Sequence, residues 1–309
     1  MKAAAVALAT LAGSIALALL APQWLVFMAM VVLAKGIVVL GLLVLMRTGL
    51  VSFGQGLYFG IGAYAAALLS HRWHVSDAAA MMVAGAAAAG LVAAFLGLLL
   101  ARYREIFFAM LSLAFSMILY GLLVKSAALG STDGFNLHAR SFFGIALTAG
   151  TERQVFLVAG SVCAVVAALL VHRLFGGHWG RLSTGVRDNE LRVTYLGASP
   201  YRIVYVNYLI ASALAGFGGA LAALAVGHVD PEMAYWTISG EFVFIAILGG
   251  TQSILAPFAA AAIFETLRMI ASQYAPNVWQ MSLGLAMLAI IMFLPGGLWT
   301  LTQRWRRSA

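Results

Sequence analysis

Long uninterrupted apolar runs dominate this sequence and limit its fold more than any other feature. Each run is close to the length of about 20 residues that a helix needs to cross the hydrocarbon core of a bilayer, which is about 30 Å thick. The runs cover residues 3–21, 23–46, 51–70, 78–100, 106–126, 155–175, 203–227, 238–255, 256–274 and 278–298. They predict an all-α, polytopic transmembrane helical bundle with about 10 spans.

The composition supports this fold class and excludes a soluble protein of the same length. Apolar residues make up 63% of the 309 residues and charged residues only 9%, whereas soluble chains have about 45–50% and about 25%. The apolar residues suffice for nine or ten spans of about 20 residues. Because no linker or low-complexity tract divides the chain, we predict one transmembrane domain over residues 1–309.

The distribution of basic residues predicts the orientation of the spans. Lysine and arginine collect in cytoplasmic loops, and an orientation with both termini inside places twelve of the eighteen basic residues there. These are Lys2, Arg47, Arg102, Arg104, Arg173, Arg181, Arg187, Arg192, Arg202, Arg304, Arg306 and Arg307. Arg72, Lys125, Arg140 and Arg153 fall outside. The net charge of +8 therefore reflects topology, and we predict no nucleic-acid partner.

The first apolar run has two interpretations. Lys2 followed by an alanine-rich apolar stretch is compatible with a cleaved secretory signal peptide. The run is longer than a typical signal core, which favours a retained helix. Both alternatives leave the later spans facing the same way.

The polar stretch at about 176–202 contains the signals of a short helix over 188–196. Asp188 is a candidate N-cap, and Glu190 adds negative charge to the first turn. Gly197 is suited to the left-handed position after the last turn, and Pro200 follows three residues later. The stretch is predicted to lie in the cytosol.

One face of this short helix is apolar. Leu191, Thr194 and Tyr195 share it at spacings of three and four, while Arg187 and Arg192 lie off it. A solvated loop, a helix lying on lipid headgroups and a helix docking into a partner protein all fit this pattern.

Familiar catalytic and nucleotide-binding motifs are absent from the sequence. The lysines are Lys2, Lys35 and Lys125, and none completes a Walker A motif. The chain also lacks HExxH and GxSxG. His71 and His74 lie three residues apart without an evident third ligand, so no metal site is predicted. We expect no enzyme activity and no cofactor in this chain.

Four stretches together resemble the permease subunits of branched-chain amino-acid ABC importers, and the M type more than the H type. They are TGLVSFGQGLYFGIGAYAAALL at 48–69, FFAMLSLAFSMILYGLLVKSAALGSTDGFN at 107–136, GRLSTGVRDNELRVTYLG at 180–197, and ISGEFVFIAILGGTQSILAP with FETLR within 238–268. LAGFGGAL at 214–221 also matches. Gln55, Lys35, Gln252 and Ala256 depart from the residues usual in the family.

The resemblance implies a multi-pass protein of the bacterial inner membrane that works in a complex. Its partners would be a second permease subunit, two cytoplasmic ATPases that bind ATP and Mg²⁺, and a periplasmic substrate-binding protein, with membrane lipid around the spans. The short helix would then be the coupling helix that is seated in an ATPase. The residues assigned to coupling are Gly180, Arg181, Arg187, Asp188, Asn189, Glu190, Leu191, Tyr195 and Gly197.

A second set of residues is assigned to transport itself. The translocation path is predicted at Gln55, Tyr58, Phe59, Tyr64 and Glu241. The glycine spacing of Gly56 and Gly60 also favours tight helix packing, so the same stretch has a structural interpretation, and the two are compatible. The turn formed by Thr132, Asp133 and Gly134, with Asp133 accepting hydrogen bonds from backbone amides, is a candidate contact for the binding protein.

Charged residues inside the spans need partners, because a bare charge at the centre of a membrane helix costs about 2.5–3.5 kcal/mol on insertion scales. Lys35 lies in such a position, and Glu241, Glu265 or a residue of the second permease are its expected partners. Glu265 and Arg268 are also spaced to pair on one helix face.

The leading functional hypothesis is an ATP-driven importer permease for branched-chain or related neutral amino acids. Within the same family, urea, amides and aromatic acids are alternative substrates. From another class, a secondary transporter or channel that needs no ATPase remains an alternative.

Overall fold

A computed structural model describes residues 2–137, 139, 141–146, 151–251, 253–274, 276–293 and 297. Arg140, Gln252, Arg304, Arg306 and Arg307, which entered the predictions above, lie outside these residues. The α-helices of the described part are α1 Lys2–Leu20, α2 Gln23–Met46, α3 Gln55–Trp73, α4 Ala78–Leu100, α5 Glu105–Lys125, α6 Glu152–Gly176, α7 His178–Asp188, α8 Glu190–Tyr195, α9 Pro200–Val226, α10 Trp236–Gly249, α11 Ala256–Tyr274 and α12 Trp279–Phe293.

Short strands and 3-10 turns connect some of these helices. Strand β1 (Phe135–Asn136) pairs antiparallel with β4 (His228–Val229), and β2 (Ser141–Phe142) pairs antiparallel with β3 (Ile145–Ala146). The 3-10 turns cover Ala127–Leu129 and Pro231–Ala234. The described chain is thus overwhelmingly helical, which confirms the predicted all-α class.

Ten of the helices coincide with the ten predicted apolar segments, to within a few residues at most ends. Five of the described helices are long and apolar enough to cross a membrane, namely α2, α4, α5, α6 and α9. Shorter apolar helical stretches occur at Ala9–Leu20, Trp236–Gly249 and Trp279–Ile290. The five long helices support a multi-pass membrane protein.

The segments that connect the long helices from α2 to α9 gather at two ends of the bundle. At one end, called here the α7–α8 end, Arg187 packs on Gly49, and Glu190 forms an ion pair with Arg104. At the other, called here the β1–β4 end, β1 and β4 pair, and residue 77 bridges residue 141. The polar stretch 176–202 and the turn at 132–134 therefore lie at opposite ends.

Helices α2 and α9 form the centre of the bundle. In the most apolar window of α2, 72% of the residues are buried, against 22% in that of α5. Leu40 and Leu42 on α2 and Ala211 on α9 are fully buried. Helices α4 and α5 leave Phe95 and Phe107 about three-quarters exposed. In a membrane protein such surfaces face lipid or another subunit.

Glycines let α3 lie unusually close to its neighbours. A Cβ at Gly62 would overlap the backbone of Gly216 on α9. A Cβ at Gly60 would lie 2.8 Å from Ala234 Cβ, and one at Gly56 would lie 2.7 Å from Ser239 Oγ. The spacing of Gly56 and Gly60 therefore serves packing within this chain.

The apolar runs 238–255 and 256–274 form two separate helices. Helix α10 ends at Gly249, and Gly250 adopts φ +78°, which suits glycine. Pro257 occupies the second residue of α11. Proline fits there because the first-turn amides of a helix have no intrahelical partner.

Another irregular segment brings polar groups into the bundle. The turn Pro231–Ala234 leads to α10 and packs against α3. It also contacts α5, because the Ser116 hydroxyl donates to Ala234 O at 2.8 Å. Helix α10 therefore begins inside the bundle. Non-helical backbone at such depth is tolerated where protein groups satisfy it.

Candidate functional site

The short helix α8 is held in shape by caps at both ends. Asn189, and not Asp188 as predicted, is the N-cap, because its Oδ1 accepts a hydrogen bond from Arg192 N at 3.0 Å. Asp188 is instead the last residue of α7. Asparagine and aspartate are equally good caps, so the identity of the cap depended on where the preceding helix ends.

The C-terminal end of α8 follows the prediction. Gly197 adopts φ +82° and donates to Thr194 O at 2.9 Å, while Ala198 N donates to Val193 O at 3.2 Å. These two bonds form a Schellman motif, which requires a left-handed residue and so favours glycine. Pro200 then begins α9.

Helix α7 was not anticipated from the sequence, which indicated one helix in the stretch 176–202. It is fixed to α9 by Asn207, a fully buried residue. The indole of Trp179 donates to Asn207 Oδ1, and Asn207 Nδ2 donates to Ser183 Oγ, both at 2.9 Å. Gly180 is buried, and a Cβ there would overlap the backbone of Phe175.

One side of α8 is attached to the bundle and the other is open. Val193 is buried and packs near Gly185 of α7, while the Glu190 carboxylate forms an ion pair with Arg104 between α4 and α5. Leu191, Tyr195 and Leu196 are 69%, 88% and 76% exposed. The apolar face predicted from Leu191 and Tyr195 therefore lies uncovered in this chain.

The surroundings of α8 are basic. Arg187 lies over Gly49 and is 3.3 Å from the Asp188 carboxylate, and Arg181 is exposed on α7. Partial burial, and then the positive charge of Arg187, lower the pKa of the Arg47 guanidinium below its ordinary value. The α7–α8 end thus combines an open apolar helix with several cations.

The residues predicted for the translocation path lie in the interior beside α3. The Tyr58 and Tyr208 hydroxyls are 2.6 Å apart, and the Phe59 ring packs edge-on against Phe242 with centroids 5.3 Å apart. Tyr64 is buried, with its ring 6.4 Å from that of Phe135. Four of the five predicted path residues therefore lie buried along α3.

The side-chain amide of Gln55, like the hydroxyl of Tyr64, is buried without a hydrogen-bond partner in the described part of the chain. Gln55 is the first residue of α3 and is 0% exposed. Leaving a buried polar group unpaired costs about 1–3 kcal/mol. Such a residue in the middle of a membrane protein requires an explanation.

A cluster of four charged side chains, called here the charge cluster, lies between α2, α10 and α11. Lys35 Nζ is 2.7 Å from Glu241 Oε2 and 2.5 Å from Glu265 Oε1. Arg268 approaches the same two oxygens at 3.5 and 3.9 Å. The predicted partners of Lys35 and the predicted pairing of Glu265 with Arg268 are confirmed. Glu241, the fifth path residue, belongs to this cluster.

The turn at the β1–β4 end is closed differently from the prediction. Asp133 N and Gly134 N donate to Gly130 O at 3.1 and 3.0 Å, and the Asp133 carboxylate contacts the Thr132 hydroxyl at 3.3 Å rather than a backbone amide. Gly134 adopts φ +65° against Val229. Thr132 and Asp133 are exposed.

Sequence reasoning missed two residues that position α7 and α8. Asn207 gave no signal, because a lone asparagine in an apolar helix does not reveal its partners. Arg104 was used only to predict the orientation of the spans, and its ion pair with Glu190 was not predicted. No group of three or more His, Cys, Asp or Glu side chains that could hold a metal occurs among the described residues.

These observations define the class of the protein as a multi-pass α-helical membrane protein with an anchored, partly uncovered helix at one end. The chain belongs to the family described as branched-chain amino acid transport system / permease component, whose model matches residues 24–294.

Two curated relatives carry the name high-affinity branched-chain amino acid transport system permease protein LivM. The one from Escherichia coli (strain K12) is 31% identical over 284 residues, and the one from Salmonella typhimurium (strain LT2) is 29% identical over 283 residues. Each alignment covers 83% of this chain and 65% of the relative, so the chain spans about two thirds of the length of these proteins. No solved structure matches the chain significantly.

Proposed function

We propose that this chain is the permease subunit of an ATP-driven importer for branched-chain amino acids. The observation that carries the proposal is the helix α8, which is fixed to the bundle by Val193 and Glu190 while Leu191 and Tyr195 stay exposed. Family membership supplies the substrate class, which the two LivM relatives share by name.

In this proposal the α7–α8 end faces the cytosol of a bacterium, with both termini on that side, and the spans cross the inner membrane. The excess of basic residues supports this orientation. Two ATPase subunits bind ATP and Mg²⁺, and one of them receives the apolar face of α8 in a groove. A second permease subunit covers part of the lipid-facing surface, and a periplasmic binding protein delivers the substrate.

The ion pair between Glu190 and Arg104 gives α8 a link to the spans. Arg104 is the N-cap of α5, so a displacement of α8 by a closing ATPase pulls directly on the start of that helix. Asn207 joins α7 to α9 in the same way. ATP binding would then shift the population between outward-facing and inward-facing states, because the two states bind ATP with different affinity.

The path for the substrate is proposed to pass beside the start of α3. Gln55 supports this, because its unpaired amide would gain hydrogen bonds when the helices part and admit water or a zwitterionic substrate. Tyr58, Phe59 and Tyr64 lie on the same helix as Gln55. Glu241 contributes through the charge cluster, where two cations neutralise two carboxylates. At the opposite end, the exposed Thr132 and Asp133, with Gly134, would contact the binding protein.

Reconstitution in proteoliposomes tests the coupling role. The chain with its partner subunits should accumulate leucine in an ATP-dependent manner, and Leu191→Ser with Tyr195→Ser should abolish uptake because the ATPase loses its apolar contact. Ile145→Ser is the matched control, since Ile145 is 71% exposed at the β1–β4 end. That variant should transport normally.

Three outcomes would contradict the proposal. Sustained uphill uptake by the chain alone would indicate a secondary transporter. Normal uptake by the variant with both α8 substitutions would remove α8 from coupling. ATP-dependent uptake of urea, amides or aromatic acids, without uptake of leucine, would keep the mechanism and overturn the substrate class.

A further inference from the structure

A large cavity lies between α1, α2, α6 and α11, away from the proposed path. Its volume is about 1070 Å³, at the upper end of the range of about 300–1,000 Å³ that is usual for ligand pockets. Val32, Ala168 and Phe258 represent its apolar wall. Leu169 and Leu255 are each 37% exposed, so the cavity opens to the surroundings of the bundle, which in a membrane is lipid.

One end of this cavity is basic. Arg47 and His172 line it together, and the Arg47 guanidinium lies 4.2 Å from the centre of the Phe175 ring. The salt bridges of the described residues do not include Arg47. The charged group that acts on it is the cation Arg187, so positive charge gathers at this end of the cavity.

The position of the basic end corresponds to the level of lipid headgroups. Arg47 directly follows α2, and His172 lies in the last turns of α6, so both stand where the apolar helices end. From His172 the wall continues along α6 to Leu157, a rise of about 22 Å. One hydrocarbon leaflet is about 15 Å thick, half of the bilayer core. The apolar wall is therefore long enough for acyl chains.

We propose that this cavity binds an anionic phospholipid of the leaflet at the α7–α8 end. Its phosphate group contacts Arg47 and His172, and its acyl chains lie along α2 and α6. Charge complementarity favours this occupant over an apolar helix of another subunit, which would leave Arg47 without a counter-charge. Basic pockets between membrane helices are typical sites for anionic headgroups. The proposal requires only that the chain spans a membrane, and not that it transports amino acids.

Native mass spectrometry of the full-length chain, purified from membranes in mild detergent, tests the proposal. The probes are phosphatidylglycerol and phosphatidylcholine with the same acyl chains. The unmodified chain should bind phosphatidylglycerol at least about fivefold more tightly than phosphatidylcholine, since one basic residue near a membrane surface contributes about that factor. Arg47→Gln should remove most of this preference.

Two further variants separate the headgroup contact from the apolar wall. Arg202→Gln removes an exposed cation at the same end but outside the cavity, and it should keep the preference. Ala168→Phe fills the cavity and should weaken binding of both lipids. Equal binding of the two lipids by the unmodified chain, or an equal loss in Arg47→Gln and Arg202→Gln, would overturn the proposal. Exclusion of phosphatidylglycerol by the assembled complex would show that a subunit occupies the cavity.

Discussion

Helix α8 and the contact between α3 and α9, called here the seam, differ in how far their side chains are buried. Along the seam even polar groups are buried, since the Tyr58 and Tyr208 hydroxyls satisfy each other and Gly62 touches the backbone of Gly216. Helix α8 leaves its large apolar side chains Leu191 and Tyr195 uncovered.

The difference teaches where each region obtains its stability. The seam depends on close approach between two helices, and the residues that meet there, such as Gly62 and Gly216, are far apart in the sequence. Helix α8 depends on local caps, the buried side chain of Val193 and one ion pair. Its outer face makes no packing contact within the described chain and is available to a partner. The following changes would break or sharpen this contrast.

The largest effect is expected in the buried interior, at the charge cluster. Lys35→Met should lower the free energy of unfolding in detergent by about 3–5 kcal/mol, because it removes one partner of a buried ion pair and leaves the carboxylates under-neutralised. Denaturant titration measures this. Lys125→Met, an exposed cation at the end of α5, is the control and should change stability by less than about 0.5 kcal/mol.

The double variant Lys35→Met with Glu265→Met should recover part of that loss, since it removes charge of both signs. If Lys35→Met is as stable as Lys125→Met, the charge cluster does not hold the interior together.

A substitution in the seam should have the next largest effect. Gly62→Ala forces a Cβ into the backbone of Gly216 and should cost about 1–3 kcal/mol through overpacking. Gly240→Ala on α10 is the matched control, because a Cβ there meets nothing within 4 Å. The control should be neutral or stabilising by up to about 1 kcal/mol. Equal changes in the thermal unfolding temperature of the two variants would show that the seam can accommodate an added methyl group.

A smaller and local effect is expected at the cap of α8. Asn189→Ala removes the acceptor for Arg192 N and should cost about 1 kcal/mol. The amides of α8 should then exchange hydrogen about fivefold faster, while the rest of the bundle stays unchanged. Asp188→Ala should leave this exchange rate alone. Faster exchange in Asp188→Ala instead would restore the cap predicted from the sequence.

The smallest effect on stability is expected on the open face of α8. Leu191→Ser with Tyr195→Ser should change the free energy of unfolding by less than about 0.5 kcal/mol, because neither side chain is packed in this chain. Thermal unfolding measures this, and the same protein should lose ATP-dependent uptake. A large loss of stability would mean that the face serves the fold rather than a partner.

Much of this architecture was predictable from local signals. The apolar runs located ten of the described helices, and five of these are long and apolar enough to cross a membrane. Gly197 and Pro200 marked the end of α8 correctly, since few other residues suit those backbone positions. The partners of Lys35 were predictable because the membrane interior offers few carboxylates.

Other features depended on contacts that no local signal reveals. Helix α7 exists as an anchored element because Asn207, 28 residues beyond Trp179, satisfies both its indole and Ser183. The cap of α8 is Asn189 rather than Asp188 because α7, which the sequence did not predict, includes Asp188 as its last residue. The lack of hydrogen-bond partners for the Gln55 side chain also became visible only in the folded chain.

The sequence by itself determined the apolar helices, their approximate ends and the family, since hydropathy acts over a few turns of chain. The tertiary structure decided which groups meet: Glu190 with Arg104, Gly62 with Gly216, and Arg47 with the apolar cavity. The physical reason is range. Hydropathy and the glycine and proline signals at helix ends are local, whereas ion pairs and close helix approach join residues whose separation along the chain carries no pattern.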